Sequence, residues 1–158
     1  MSKISVCIPT YDRHDSLREI INDFIDSKAY EVASLIILDD CPEAKNEDLN
    51  DNRQNIFYLK NITNIGYASS FLKLFEISDA EYLFFSSDDD KINFQGLKDF
   101  VNKELDLTDF ACISTTFTKN DHVYRGKKYS TIITQGEIRS ASNHAPGLIY
   151  NKESVFNY

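Results

Sequence analysis

The strongest constraint on this chain is an alternation: short, wholly apolar runs are separated by longer stretches whose apolar residues recur at helical spacing. The runs are ISVCI (residues 4–8), ASLIIL (33–38), NIFYL (55–59), EYLFFS (81–86) and FACISTTF (110–117). Between the first two, Leu17, Ile20, Ile21, Phe24 and Ile25 fall at i, i+3, i+4, i+7 and i+8, one stripe on a helix that Asp12 or Asp15 can cap. Phe71, Leu72, Leu74 and Phe75 mark a second helix over 67–77, and Asn93 opens a third carrying Leu97, Phe100, Val101 and Leu105. A strand that is apolar without alternation is buried on both faces, and helices between such strands supply the cover. The pattern predicts an α/β fold: a mainly parallel, Rossmann-like sheet with helices on both faces, in one domain spanning 1–158. Residues 42–54 are polar and acidic without a period, so a loop or a ragged helix is expected there. HVYRG, YSTIIT and GLIY, from residue 122 onward, read as short strands, antiparallel where they pair.

Charge limits the partners. The formal net charge of -8 argues against a nucleic-acid backbone or an anionic membrane as a general surface partner, since both want clustered Lys and Arg. An anionic ligand must therefore be held by something local. Cys7, Cys41 and Cys112 lie in or beside apolar runs with no C-x-x-C spacing and are expected as reduced, mostly buried thiols. His14, His122 and His144 share no ligand spacing and read as surface or hydrogen-bonded histidines. There is no signal-peptide core and no apolar stretch near about 18 residues. A cytoplasmic protein without a transmembrane segment is expected, at most peripheral at the inner face of the membrane.

Open α/β sheets bind ligands beyond the carboxyl ends of their strands. The first strand ends in Pro9-Thr10-Tyr11-Asp12-Arg13, the second in Asp39-Asp40 and the fourth in Ser87-Asp88-Asp89-Asp90. Parallel strands bring all three clusters to one edge, although they are far apart in sequence. Neither G-x-G-x-x-G nor G-x-x-x-x-G-K-[ST] occurs, which removes the dinucleotide-fold and P-loop readings. The other way to hold a diphosphate is a divalent cation shared between phosphate oxygens and carboxylates, and Mg²⁺ or Mn²⁺ takes such oxygen ligands. Adjacent aspartates repel one another only until that charge arrives.

Taken singly, each cluster has a plainer reading. Aspartates at a strand end favour the positive end of the next helix by about 0.3–1 kcal/mol apiece. Asp39-Asp40 before Cys41-Pro42 can be turn formers, and RGKK (125–128) a solvated hairpin tip. The shared edge is what tips the balance toward a ligand site.

The segments VCIPTYDRHDSLREIINDFI, LIILDD and NITNIGYASSFLKLFEISDAEYLFFSSDDD, in that order, resemble the nucleotide-binding half of family 2 inverting glycosyltransferases with the GT-A fold. The match runs over roughly residues 4–92, and GLIYNKES (147–154) resembles a later strand of the family with its basic-polar turn. The resemblance implies that Pro9, Thr10, Tyr11 and Arg13 wrap the nucleobase and ribose, with Asp39 on a uracil-type base and Asp40 beside it. It implies that Asn64 and Gly66 are the N-x-G opening the next helix at the nucleotide. Asp88, Asp89 and Asp90 hold the place of the metal-binding D-x-D, with Asp89 as metal ligand, Asp88 nearest the ribose, and Asp90 a ligand in a shifted frame. The implied activity is transfer from a UDP-type nucleotide-diphosphate sugar, with Mn²⁺ or Mg²⁺, to a glycan or lipid-linked acceptor in surface polysaccharide synthesis.

Two departures qualify that resemblance. Phe71 and Leu72 stand where the family often places an Arg-Asn pair, so arginine help from that helix is absent. Inverting transfer also needs a carboxylate base to take the acceptor's proton. The family's acidic pair after the GLIY-like strand does not occur before Tyr158, which leaves Asp121, Glu137 and Glu153 as substitutes, or a chain lacking the C-terminal acceptor and base segment. Two alternatives stay open: a non-catalytic or truncated nucleotide-binding domain, and a phosphoacceptor receiver-like domain, for which only Lys119 fits the expected lysine. The isolated chain is expected to bind a nucleotide with Mn²⁺ or Mg²⁺ yet transfer sugar weakly or not at all. Sustained multiple turnover in a donor-consumption assay would contradict that expectation.

Overall fold

The computed structural model describes residues 2–103, 105, 112–114, 117–119, 122–124, 128–129 and 148–153. In chain order the elements are β1 (Ile4–Thr10), α1 (His14–Asp26), β2 (Ala33–Asp39), β3 (Ile56–Lys60), α2 (Tyr67–Ile77), β4 (Tyr82–Phe85) and α3 (Phe94–Lys103). Five short strands follow: β5 (Cys112–Ser114), β6 (Phe117–Lys119), β7 (His122–Tyr124), β8 (Lys128–Tyr129) and β9 (Leu148–Asn151). The main sheet runs β3-β2-β1-β4-β9-β5-β8, and β6 and β7 form a separate antiparallel pair. β3, β2, β1 and β4 are parallel to their neighbours, whereas β9 runs antiparallel between β4 and β5. Chain order reverses beside β1, which has β2 on one side and β4 on the other, so the crevice of such sheets opens there.

Alternate residues of the buried strands divide the core in two. Ile4, Val6, Ile8, Leu35, Ile37 and Phe84 pack with Leu17, Ile20, Ile21 and Phe24 of α1 and with Phe94 and Leu97 of α3. On the other face Cys7, Ile36, Leu38, Leu83 and Phe85 meet Leu74 and Phe75 of α2. This is the two-sided cover that unbroken apolar strands require. Cys7 and Cys41 are free and buried as expected, and burial pushes the Cys7 thiol up from its ordinary value. Among the described residues no helix is long and apolar enough to cross a membrane.

Three details differ from the sequence reading. Neither Asp12 nor Asp15 caps α1: Arg13 stands at the N-cap with no side-chain bond, because Asp12 is held in a left-handed conformation (φ 49°) with its amide on Asp39. Asn93, by contrast, does cap α3, its Oδ1 accepting from the Gly96 amide at 2.9 Å. Residues 42–54 form two short 3₁₀ turns, Glu47–Leu49 and Asn52–Gln54, and no α-helix. The expected fifth strand divides, with 112–114 in the main sheet and 117–119 in the hairpin; of YSTIIT only Tyr129 lies within the described residues.

Phe85 ends β4 just before the aspartates and stacks on Phe71 with ring centroids 3.9 Å apart, with Phe75 at 4.8 Å. Phe85→Ala should cost about 3–5 kcal/mol, the range for a buried phenylalanine truncated in a tight core, read from urea-unfolding midpoints.

Candidate functional site

The carboxyl ends of β1, β2 and β4 are tied together by side chains from each. Thr10 pairs with Asp39 in the β1–β2 register, and its Oγ1 donates to Asp88 Oδ2 at 2.6 Å, joining the end of β1 to the turn after β4. The Asp40 amide continues the ladder by donating to the Thr10 carbonyl at 2.9 Å. The sequence clusters thus share one edge.

Asp39 is fully buried, and both of its oxygens are occupied. Oδ1 accepts from the amides of Asp12 at 3.1 Å and Cys41 at 3.0 Å; Oδ2 accepts from Asn46 Nδ2 at 3.1 Å and the Tyr58 hydroxyl at 2.8 Å. Burial first, and then this bond to Asp39, push the Tyr58 phenol up from its ordinary value. A carboxylate offers about four acceptor positions, so Asp39 has none to spare. The carboxylate expected at the base thus braces the strand ends from inside the protein.

Its neighbour does different work. Asp40 accepts from Asn61 Nδ2 at 2.9 Å and the Ile65 amide at 2.8 Å on Oδ1, and from the Gly66 amide at 2.7 Å on Oδ2. It thereby caps the entry to α2, where Gly66 takes φ 81°, a conformation that suits glycine. Asn64 Oδ1 takes a second bond from the Gly66 amide at 3.0 Å. Lys73 Nζ donates to Asn61 Oδ1 at 2.6 Å and so orients the amide that faces Asp40. Burial alone would raise the Asp40 pKa, but these bonds outweigh it and hold the carboxyl below its ordinary value.

Residues 87–90 form a turn at the open side of the crevice. Ser87 Oγ donates to Asp89 Oδ1, and the Asp90 amide lies 3.4 Å from the Ser87 carbonyl. Tyr67, the first residue of α2, faces this turn: burial, and then the charges of Asp88 and Asp90, raise its phenol. Among the described residues no three His, Cys, Asp or Glu side chains converge on a point where a metal could sit. Asp88 Oδ1 and Asp89 Oδ2 lie outside the Thr10 and Ser87 bonds. That hard-oxygen set fits a Mg²⁺-type ion, which uses one or two carboxylates and completes its shell with phosphate and water.

The other expected residues fall as follows. Tyr11 is 54% exposed and lies by Cys41, Glu43 and Asn64; the Cys41 thiol above all raises its phenol. Arg13 is exposed at the start of α1, and His14 is a surface residue bridging to Asp48. Phe71, at the position the family often gives to arginine, is turned into the core against Phe85. Glu153 follows β9. β9 runs from Leu148 opposite Phe85 to Asn151 opposite Tyr82, so Glu153 leaves the sheet at the amino edge, a strand length from Asp88. Asp121, Glu137 and His144 lie outside the described residues, as does the side chain of Lys119. The receiver-like alternative needs an acidic pair after β1, where Asp12 stands alone. Sequence reasoning missed Asn46, Tyr58, Asn61 and Tyr67; the signal for Asn61 and Tyr67 was their position flanking the N-x-G turn.

The model of the family described as "Glycosyl transferase family 2" matches residues 5–153. No curated protein matches the chain. Among solved structures, S. aureus TarS aligns with a TM-score of 0.51 at 25% identity, over 61% of this chain and 18% of TarS. A second structure, S. aureus TarS 1–349, aligns with a TM-score of 0.59 at 20% identity, over 95% of this chain and 47% of that one. The mannosyltransferase PcManGT from Pyrobaculum calidifontis, in complex with GDP-Man and Mn²⁺, gives 0.56 at 11% identity, over 71% of this chain and 34% of its own. The chain thus spans less than half of each of these three structures.

Because the folded-state pKa of Asp40 is lowered, its stabilisation is complete above the ordinary carboxylate value of about 4 and is lost as pH falls through the lowered value. Asp40→Asn sets an amide against donors and should cost about 1–3 kcal/mol at neutral pH. The gap to wild type should narrow as unfolding midpoints are followed down below pH about 4.

Proposed function

The chain belongs to glycosyl transferase family 2, and from that premise we propose that it forms a single GT-A domain holding the nucleotide-sugar donor of a glycosyltransferase. The observation that carries this reading is the shared edge: Thr10 bonded to Asp88, and Asp40 bonded to the turn that opens α2. Pro9, Thr10, Tyr11 and Arg13 then line the nucleoside side, with the exposed Tyr11 ring against the base and Asn64 beside it. Asp39 and Asp40 then stand at the base end of this edge, with Asp40 holding the turn that opens α2. Asp39 contributes by fixing the positions of its neighbours.

Asp89 and Asp88, with Asp90 adjacent, would hold Mn²⁺ or Mg²⁺, which supplies charge to stabilise the leaving diphosphate. The chain's own residues do the rest. Thr10 fixes the Asp88 carboxylate, Ser87 fixes Asp89, and the Tyr67 phenol lies within reach of the charges of Asp88 and Asp90. The α2 dipole points its positive end at this edge and favours the diphosphate. With Glu153 on the opposite edge, Asp121 and Glu137 are the candidates for the base that takes the acceptor's proton.

The acceptor in this reading is a glycan or a lipid-linked sugar, the product a surface polysaccharide and the compartment the cytoplasm, all carried by family resemblance. Calorimetric titration with UDP, GDP and CDP, with and without Mn²⁺, tests the core of the proposal. UDP with Mn²⁺ should bind best, and Asp89→Ala should weaken it by about tenfold or more, which is about 1.4 kcal/mol. Equal binding with and without metal would remove metal dependence, and no binding of any nucleotide would remove the donor site.

A further inference from the structure

A cavity of about 280 Å³ lies on the sheet face that α2 covers only in part, running from the amino ends of β1 and β2 to Leu59 of β3. Ser5 and Ser34, paired in the β1–β2 register, form one wall, and Phe57 and Leu59 of β3 form the other. Thr10 and Asp39 pair five positions beyond Ser5 and Ser34, on the order of 17 Å away at the rise of a strand. The polar wall of the cavity is therefore distinct from the candidate donor site, while Leu59, opposite Leu38, reaches toward it.

Its polar wall has hydrogen-bonding capacity that the protein does not use. The Ala80 amide donates to Ser78 Oγ at 3.3 Å, Ser78 Oγ donates to Ser5 Oγ at 2.9 Å, and Ser5 Oγ shares one hydrogen with Ser34 Oγ at 2.8 Å. The Ser5–Ser34 pair owns two hydroxyl hydrogens, and the bond between them consumes one. Whichever way that bond runs, the second hydrogen has no acceptor among the described residues, and both side chains line the cavity at over nine-tenths burial. A buried hydroxyl hydrogen without an acceptor is costly, so a ligand oxygen there is favoured. Asp79 adds an exposed carboxylate as an acceptor.

The lining contains no Lys, Arg or His, so phosphates and other anions find no counter-charge. Phe57 and Leu59, 36% and 42% exposed, offer an apolar platform beside the hydroxyls and the carboxylate. A ring with apolar C–H faces and a rim of hydroxyls matches both halves. The volume lies just below the usual range of about 300–1,000 Å³ for ligand pockets, which limits the occupant to one ring.

We propose that this cavity is a secondary carbohydrate site that holds a single neutral pyranose residue, with its face on Phe57 and its hydroxyls on the Ser5–Ser34 pair and Asp79. The choice of a sugar over another neutral amphiphile rests on the glycosyltransferase reading above; the cavity and its spare hydroxyl do not. A saccharide bound here would keep a glycan on the domain while its growing end is used at the other edge.

The test is a two-dimensional ¹⁵N–¹H titration of the chain with glucose, galactose and N-acetylglucosamine, with cyclohexanol and inorganic phosphate as contrasting probes. At least one sugar should shift the amides of Ser34, Asn55, Phe57 and Asp79 saturably. Phe57→Ser and Asp79→Ala, both at exposed positions, should each weaken that binding by about tenfold, near the most that one lost neutral contact is worth, and leave UDP–Mn²⁺ binding unchanged. No saturable shift with any sugar overturns the proposal, as do equal shifts with cyclohexanol or phosphate, or sugar shifts that survive both substitutions. Sugar binding in a chain that binds no nucleotide would leave the cavity standing and bring down the donor-site reading instead.

Discussion

The carboxylate of Asp39 is the interaction on which the candidate site depends. It sits at the end of β2 with no exposed surface, and it accepts four bonds from three separate stretches of chain. A buried carboxylate costs several kcal/mol unless it is satisfied, and bonds to a charged group return about 1.5–3 kcal/mol each. The surrounding backbone bends to meet that demand. Asp12 adopts a left-handed conformation that brings its amide to Asp39, the Cys41 amide turns back toward the strand it has just left, and Tyr58 reaches across from β3. With those ends held, Thr10 is in place to reach Asp88.

The aspartates at these strand ends, alike in sequence, carry out three different tasks. Asp39 points inward and serves structure. Asp40, one residue on and therefore facing the opposite side, caps the turn before α2. Asp88 and Asp89 follow the last buried positions after β4, and each keeps one oxygen outside the Thr10 and Ser87 bonds. Burial and donor supply make the difference: a carboxylate with four internal donors is a brace, and one with a single donor is free to meet a ligand.

Much of this was legible in the chain. The unbroken apolar runs predicted β1 to β4 and the cover on both faces, because a side chain on either side of a parallel strand must be apolar to be buried without a partner. The Asn93 cap and the core positions of Phe84, Phe85 and Phe75 follow from local chemistry and period. What failed did so for a non-local reason. Asp12 and Asp15 sit where a helix cap belongs, but a buried acceptor 27 residues away claims the Asp12 amide. Glu153 follows a strand whose direction no local signal sets, and β9 inserts antiparallel between β4 and β5, which sends it to the far edge.

By itself, the sequence determined the class of fold, the order of the parallel strands' acidic ends and the absence of glycine-rich phosphate loops, because period, turn chemistry and composition act over a few residues. Only the tertiary structure decided which carboxylates are bonded within the protein and which keep an oxygen outside those bonds. It alone also set Ser5 beside Ser34 with a hydrogen to spare, because hydrogen-bond supply at a buried point is summed over segments that meet only when the sheet has formed.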